Sequence, residues 1–241
     1  MRSNLVCSAI VVIGLCASAT ARAQSVDEIV AMNLKAKGGV DKLKSVNAVK
    51  MTGRMRMQGM DVPVMMFTKR PNYQRQEMTL AGKQVVQAFD GTSAWMIGPN
   101  SDIPQEAPKA MADVVRTRAE FDNPLIDYKG RGTTIELVGK EKLRDATVYH
   151  LKVTLKSGDV QHYFLDAETG LERKTSAEVE MPGAPKQSFE TDLGDYRAVD
   201  GIMMPHSMTQ LVGGKPVVEI SIDKVEFNPA IDDAIFRMPK K

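Results

Sequence analysis

Between Tyr149 and Lys174 the chain reads YHLKVTLKSGDVQHYFLDAETGLERK. Apolar and polar residues alternate on both sides of Ser157-Gly158-Asp159, which predicts two antiparallel strands joined by a tight turn. A second turn at Asp166 to Gly170 lays a third strand beside them. Tyr149, Leu151, Val153 and Leu155 share one face of the first strand, and His150, Lys152, Thr154 and Lys156 share the other. A sheet of this kind must cover its greasy face, either with its own chain or with something it carries.

The same period of two recurs over most of the sequence. From Val46 the positions Val49, Met51, Gly53, Met55 and Met57 alternate with Lys50, Thr52, Arg54, Arg56 and Gln58, as one greasy and one wet strand face require. Pro63 marks the next strand as an edge or a bulge. Turn signals at Arg70-Pro71-Asn72, Asp90-Gly91, Pro182 to Pro185, Asp200-Gly201 and Gly213-Gly214 punctuate further strands,. In the last one, Val218, Ile220 and Ile222 have one parity and Val225 and Phe227 the other, which predicts a bulge near Asp223.

Two stretches break the strand pattern. Ser25 is placed to cap a helix over Val26 to Lys37, ended by Gly38-Gly39,. The loop GPNSDIPQEAP at Gly98 to Pro108 leads into an amphipathic stretch from Ala107 to Phe121, which predicts an inserted helix,. That helix serves either as a lid or as ordinary cover for the core. About a dozen strands in one antiparallel run curl or close rather than stay flat. With no repeat or linker, residues 24–241 are expected to form one domain.

Met1 to Ala23 has a positive start at Arg2, an apolar run from Val6 to Leu15 and a small-x-small end at Ala21-Arg22-Ala23. These are the marks of a signal peptide cleaved after Ala23, and they predict a periplasmic protein. Cys7 and Cys16 both fall in that segment, so the mature chain has no thiol and no disulfide,. Its loss also takes Arg2 and Arg22 from 32 basic residues, leaving 30 against 30 acidic ones. A balanced charge lacks the basic footprint that nucleic acid requires. The chain has 16 methionines but one tryptophan. Methionine fills irregular space and suits walls that accept varied apolar partners, so where the methionines fall decides what they mean.

Catalytic patterns are missing. The sequence has no G-x-S-x-G elbow, no H-E-x-x-H and no phosphate-binding G-x-x-x-x-G-K-S/T,. His150, His162 and His206 are separated in sequence, and pairs such as Asp232-Asp233 read as solvated or capping carboxylates. The expectation is a protein without enzymatic activity, metal or cofactor.

Five spaced segments carry a resemblance. They are Gly38-Gly39-Val40-Asp41-Lys42-Leu43, Phe89-Asp90-Gly91-Thr92 through Trp95, Tyr163-Phe164-Leu165-Asp166 through Leu171, Asp195-Tyr196 through Pro205-His206, and Asn228-Pro229 through Phe236. In order and spacing the chain resembles the outer-membrane lipoprotein-sorting proteins of the LolA/LolB-like superfamily of lipid and lipoprotein carriers. The resemblance implies a mainly β fold, a half-open antiparallel β-barrel around a hydrophobic cavity with helices as plug or lid. It also implies a carrier that binds the acyl chain of a lipid or a lipidated protein and touches the membrane surface transiently. The alternative is an envelope sensor or scaffold that binds a protein partner.

On the carrier reading the expected cavity residues are Val49, Met51, Met55 and Met57 of the first strand and Val218, Ile220 and Ile222 of the last, with Leu151, Val153 and Trp95 between. Met111, Val114 and Val115 are the expected lid residues.

Overall fold

The computed structural model describes residues 24–179 and 187–239, and the expected signal segment and the Pro182 to Pro185 turn lie outside them. Thirteen strands form one antiparallel sheet that does not close, in the order β6-β5-β4-β3-β2-β1-β13-β12-β11-β10-β9-β8-β7. The chain is mainly β with few helices, as a half-open barrel requires. It folds outward from β1 (Ala48–Met57) through β2 (Met60–Lys69), β3 (Tyr73–Leu80), β4 (Lys83–Asp90) and β5 (Ala94–Ile97) to the short edge strand β6 (Gln105–Glu106). It then crosses to the opposite edge through α3 (Lys109–Arg118) and residues 119–133.

From that edge it folds back through β7 (Thr134–Leu143), β8 (Ala146–Thr154), β9 (Val160–Asp166), β10 (Glu172–Val179) and β11 (Gln187–Val199). The return ends with β12 (Ile202–Val212) and β13 (Lys215–Phe227), which lies against β1. Every strand thus pairs with a sequence neighbour except at the β1–β13 seam, where Val49 meets Phe227.

The predicted bulge is present on that seam. Thr52 pairs with Lys224 and Gly53 with Ile222, so Asp223 is the extra residue. It turns Ile220 and Ile222 to the same side as Val225, and all three are buried,. Gly53 makes this possible, since a Cβ there would lie 2.1 Å from the backbone oxygen of Ser221.

Helix α1 (Val26–Ala36) starts with a full capping box, Ser25 and Glu28 each bonding the other's backbone,. Its buried Ile29, Val30 and Leu34 pack on Tyr149, Leu151, Val153 and Leu165 of β8 and β9. The fully buried Asn33 donates from Nδ2 to the carbonyl of Gly170 at 2.8 Å, tying the helix to the β9–β10 turn. Gly170 has φ +78°, and a Cβ there would press on the Met32 backbone at 3.1 Å, so glycine seats the helix. A short second helix, α2 (Val40–Ser45), follows. The greasy face of the Tyr149 hairpin is therefore covered by α1, together with Leu125 and Ile126 from the crossing segment.

The crossing segment spans the concave face. Val115 and Ala119 pack on Phe89 and Ala94 near one edge. Phe121 reaches the central cluster on β1, β2, β12 and β13, while Leu125 and Ile126 lie with α1 near the other edge. Residues 119–133 are thus a strap across the half-barrel. The back of β3, β4 and β5 is covered by a C-terminal 3-10 helix, Asp233–Phe236. Tyr73 stacks on Phe236, Arg75 donates to the carbonyl of Ile235 at 2.6 Å, and Trp95 donates to that of Phe236 at 2.7 Å.

Candidate ligand site

The inner faces of the central strands form one apolar cluster. Its buried members include Val49, Met55, Val64, Ile220, Ile222 and Val225. Around them six methionines are half-buried: Met51, Met57, Met66, Met78, Met204 and Met208. With Met55, seven of the chain's 16 methionines meet on this one surface. The cluster under α1, by comparison, has one methionine at its margin, Met32.

At the helical end this surface passes under the strap and forms a half-open cavity of about 220 Å³. Val49, Met51, Ile202, Met204 and Phe227 supply its sheet wall, Phe121 and Ile126 its strap side, and Leu34 and Leu43 its helical side. Sites for drug-sized ligands run to roughly 300–1,000 Å³, and a cavity of about 150 Å³ holds a benzene ring. A space of this volume fits a segment of an alkyl chain,. The half-buried methionines continue the apolar surface beyond it, toward the hairpin turns at the far end of β1 and β13.

Two charge pairs hold the cavity's cover. Arg70 grips Asp122 of the strap with both arms, at 2.6 and 2.7 Å, and donates from Nε to the carbonyl of Val46 at 2.9 Å. Its guanidinium also sits 4.6 Å over the Phe121 ring. The bond from Arg70 holds the Asp122 carboxyl below the usual carboxylate range against the opposing effect of burial,. Deeper in, Lys37 at the end of α1 donates to Glu172 at 2.9 Å. Glu172 is 2 % exposed and also accepts from Asn123 of the strap and from the Tyr196 hydroxyl. Burial pushes the Glu172 carboxyl up, but Lys37 and the Tyr196 bond outweigh it and leave it below its ordinary value. Tyr196 and Tyr163 are both pushed up, chiefly by burial and secondly by the charge on Glu172. The charged groups at the cavity are thus matched to one another, and its walls are mostly apolar, with Lys37, Thr68, Asp122 and Asn123 among them.

The expected residues fall in three places. Val49, Met51, Met55, Met57, Val218, Ile220 and Ile222 all join the central cluster, and of these Val49 and Met51 line the cavity under the strap. Leu151 and Val153 are fully buried in the cluster under α1 and do not line the cavity. Trp95 lies on the opposite face of the sheet with Val86 and Ala88, its indole bonded to the C-terminal 3-10 helix, so its side chain is turned away from the cavity. Val115 is buried against Phe89 and Ala94, and Met111 packs at the same cluster's edge. The side chain of Val114 lies outside the described residues. Sequence reasoning missed Phe121, Asp122 and Ile126 of the strap and Arg70, which grips it. The helical period puts Phe121 on the stripe of the inserted helix, but α3 ends at Arg118 and Phe121 goes with the strap, while Ile126 follows no strand or helix period.

No family model matches the chain, and no curated protein matches it in sequence. Solved structures do match in shape. A LolA superfamily protein from Nitrosomonas europaea aligns over 89% of this chain and 98% of its own, with a TM-score of 0.57 at 12% identity. The two chains share a fold. A domain described as an outer membrane lipoprotein-sorting protein, from Vibrio parahaemolyticus, aligns over 87% of this chain and 94% of its own, with a TM-score of 0.58 at 12% identity. A DUF1329 family protein from Desulfovibrio piger covers 88% of this chain and 97% of its own, with a TM-score of 0.59 at 12% identity. The LolA-type half-barrel is the common element, and at these identities the likeness is one of fold. No described helix is long and apolar enough to cross a membrane.

Proposed function

We propose that this chain is an exported, non-catalytic carrier of the lipoprotein-sorting type, which shelters acyl chains of lipids or lipidated proteins against the concave face of its half-barrel. In this reading residues 1–23 are removed, 24–241 act as one domain in the periplasm, and delivery involves passing contact with a membrane surface. The observation that carries it is the gathering of seven methionines on the inner faces of β1, β2, β3 and β12, six of them only half-buried. A stable core gains nothing from flexible side chains left partly in water, whereas a wall that receives chains of varied shape does.

The energetics fit reversible carriage. Each methylene sheltered from water contributes about 0.8 kcal/mol, so a 16-carbon chain represents roughly 12 kcal/mol. A bilayer offers a similar gain, so exchange between membrane and carrier is nearly balanced while release into water is not. The strap's cavity holds part of a chain, and displacement of Phe121 joins it to the open methionine surface.

A fluorescent fatty acid titrated into the delipidated protein tests this. Saturable binding is expected, with Met51→Arg weakening it at least tenfold while circular dichroism is unchanged. Absence of saturable binding, or equal binding by the variant, contradicts the reading. A protein partner retained at full stoichiometry by Met57→Arg, with no lipid uptake in either form, would point instead to a sensor or scaffold.

A further inference from the structure

The outer face of β8 and β9 brings together two imidazoles that acyl-chain binding does not use. His150 Nε2 and His162 Nδ1 share a hydrogen bond of 2.8 Å whose donor is set by the tautomer, with ring centroids 5.0 Å apart and planes tilted by 51°. His150 stacks on Phe164 with centroids 4.4 Å apart, which fixes its ring plane. Its other nitrogen, Nδ1, faces Glu141 Oε1 at 3.6 Å.

The register explains both the meeting and its openness. His150 pairs with Phe164 and Lys152 with His162, so the two histidines are diagonal neighbours on one face. On the far side His150 is opposite Gly139, above which a Cβ would meet nothing within 4 Å. His162 is opposite Ser176. Small neighbours flank the pair on both sides, and the His150 side chain keeps 17 % of its surface exposed. Lys174, whose ammonium sits 5.3 Å over Phe164, is neutralised by its ion pair with Glu190.

We propose that His150 and His162 form a two-imidazole site for a divalent transition-metal ion of the Cu2+ class, with Glu141 orienting His150 from behind. Two nitrogens bound at about 2.0 Å and at right angles to one ion stand about 2.8 Å apart, whereas tetrahedral binding requires about 3.3 Å. The observed 2.8 Å is the length of the hydrogen bond between the two rings, which an ion replaces by displacing the shared proton, and it is nearer the tetragonal spacing that Cu2+ prefers than the tetrahedral one,. Because Phe164 holds the His150 ring, it is the His162 ring that turns about χ2, a soft torsion in histidine, to bring its lone pair onto the ion,. Cu2+ also binds such nitrogen sites most strongly among the divalent first-row ions. A carboxylate on the second imidazole nitrogen fixes the tautomer and strengthens the ligand. Among the described residues no cluster of three or more histidine, cysteine or acidic side chains is arranged around a metal. Water completes the coordination, and the ion exchanges rather than holding the fold together.

The test is titration of the tag-free mature protein with copper(II) chloride, read by electron paramagnetic resonance. The expected result is one ion per chain with hyperfine splitting from two nitrogens. His162→Gln should weaken binding at least tenfold and lose one nitrogen, Glu141→Gln should weaken it about tenfold, and zinc chloride should bind more weakly than copper. A spectrum with no nitrogen splitting, or unchanged affinity in both variants, overturns the proposal. Glu141→Gln leaves the packing of His150 on Phe164 in place, so the test stands even if His162→Gln folds poorly.

Discussion

Gly53 and Glu172 show how single residues hold this architecture. Gly53 sits opposite the Asp223 bulge, where a Cβ would meet the Ser221 carbonyl oxygen at 2.1 Å and Ile222 Cα at 3.0 Å. Backbone cannot yield as a side-chain tip does, so Gly53→Ala should cost about 3 kcal/mol or more, measured by urea denaturation. Glu172 is the buried joint of α1, the strap and β11. Glu172→Gln leaves Lys37 without its counter-charge, at a cost of about 3–5 kcal/mol. At roughly 2–4 °C per kcal/mol for a chain of this size, the melting temperature should fall by about 6–20 °C at pH 7.

The pH dependence of that effect has a definite sign. The folded Glu172 carboxyl lies below its ordinary value of 4.5. Its stabilisation is therefore fully present above about pH 4.5 and is lost as pH falls through the folded value. The gap between wild type and Glu172→Gln should narrow below pH 4, and a gap that stays constant to pH 3 would remove Lys37 as the cause.

Among the elements, the strap decides access to the cavity. It is fastened by Arg70 at one point and by Glu172 at another, and its own Arg131 braces it from within by donating to the carbonyls of Asp122 and Asn123 at 3.3 Å. Arg70 and Asp122 are each more than a quarter exposed, so the pair is worth only about 1 kcal/mol in global stability. Its larger effect is local. Arg70→Leu should speed amide exchange through residues 119–133 by about fivefold or more while leaving α1 protected. Exchange that rises equally in α1 would mean that the strap and helix open together.

The strap was also the element least legible beforehand. The α1 boundaries, the Asp90 and Asp200 turns and the Asp223 bulge follow from local pattern, because caps, turns and parity are properties of neighbouring residues. The path of residues 119–133 depends on where both sheet edges end, which no local period encodes. Trp95 illustrates a second reason. Its strand has four residues, too few for alternation to say which face it takes, and the C-terminal 3-10 helix that claims it comes 138 positions or more later in the chain. The His150–His162 contact, by contrast, was implicit in the turn at Gly158, which sets the register of β8 on β9.

At the scale of the molecule, the Tyr149 hairpin poses the question that the whole fold answers. Its greasy face is filled by α1, and the surface left for a guest lies across the sheet, where β1 meets β13. That seam joins strands at opposite ends of the sequence. The alternation along each strand marked seven residues of this surface, but only the pairing of Val49 with Phe227 and Met51 with Val225 gathers them. The methionine count gained meaning in the same way, from position rather than number.

The central claim is that this methionine surface holds acyl chains. A native mass spectrum of the mature protein purified without detergent, recorded before and after delipidation, tests it most directly. The account predicts adducts of lipid mass that disappear on delipidation, return on incubation with lipid vesicles, and are absent from Met51→Arg. A spectrum showing only the bare chain, unchanged after exposure to vesicles, would contradict it.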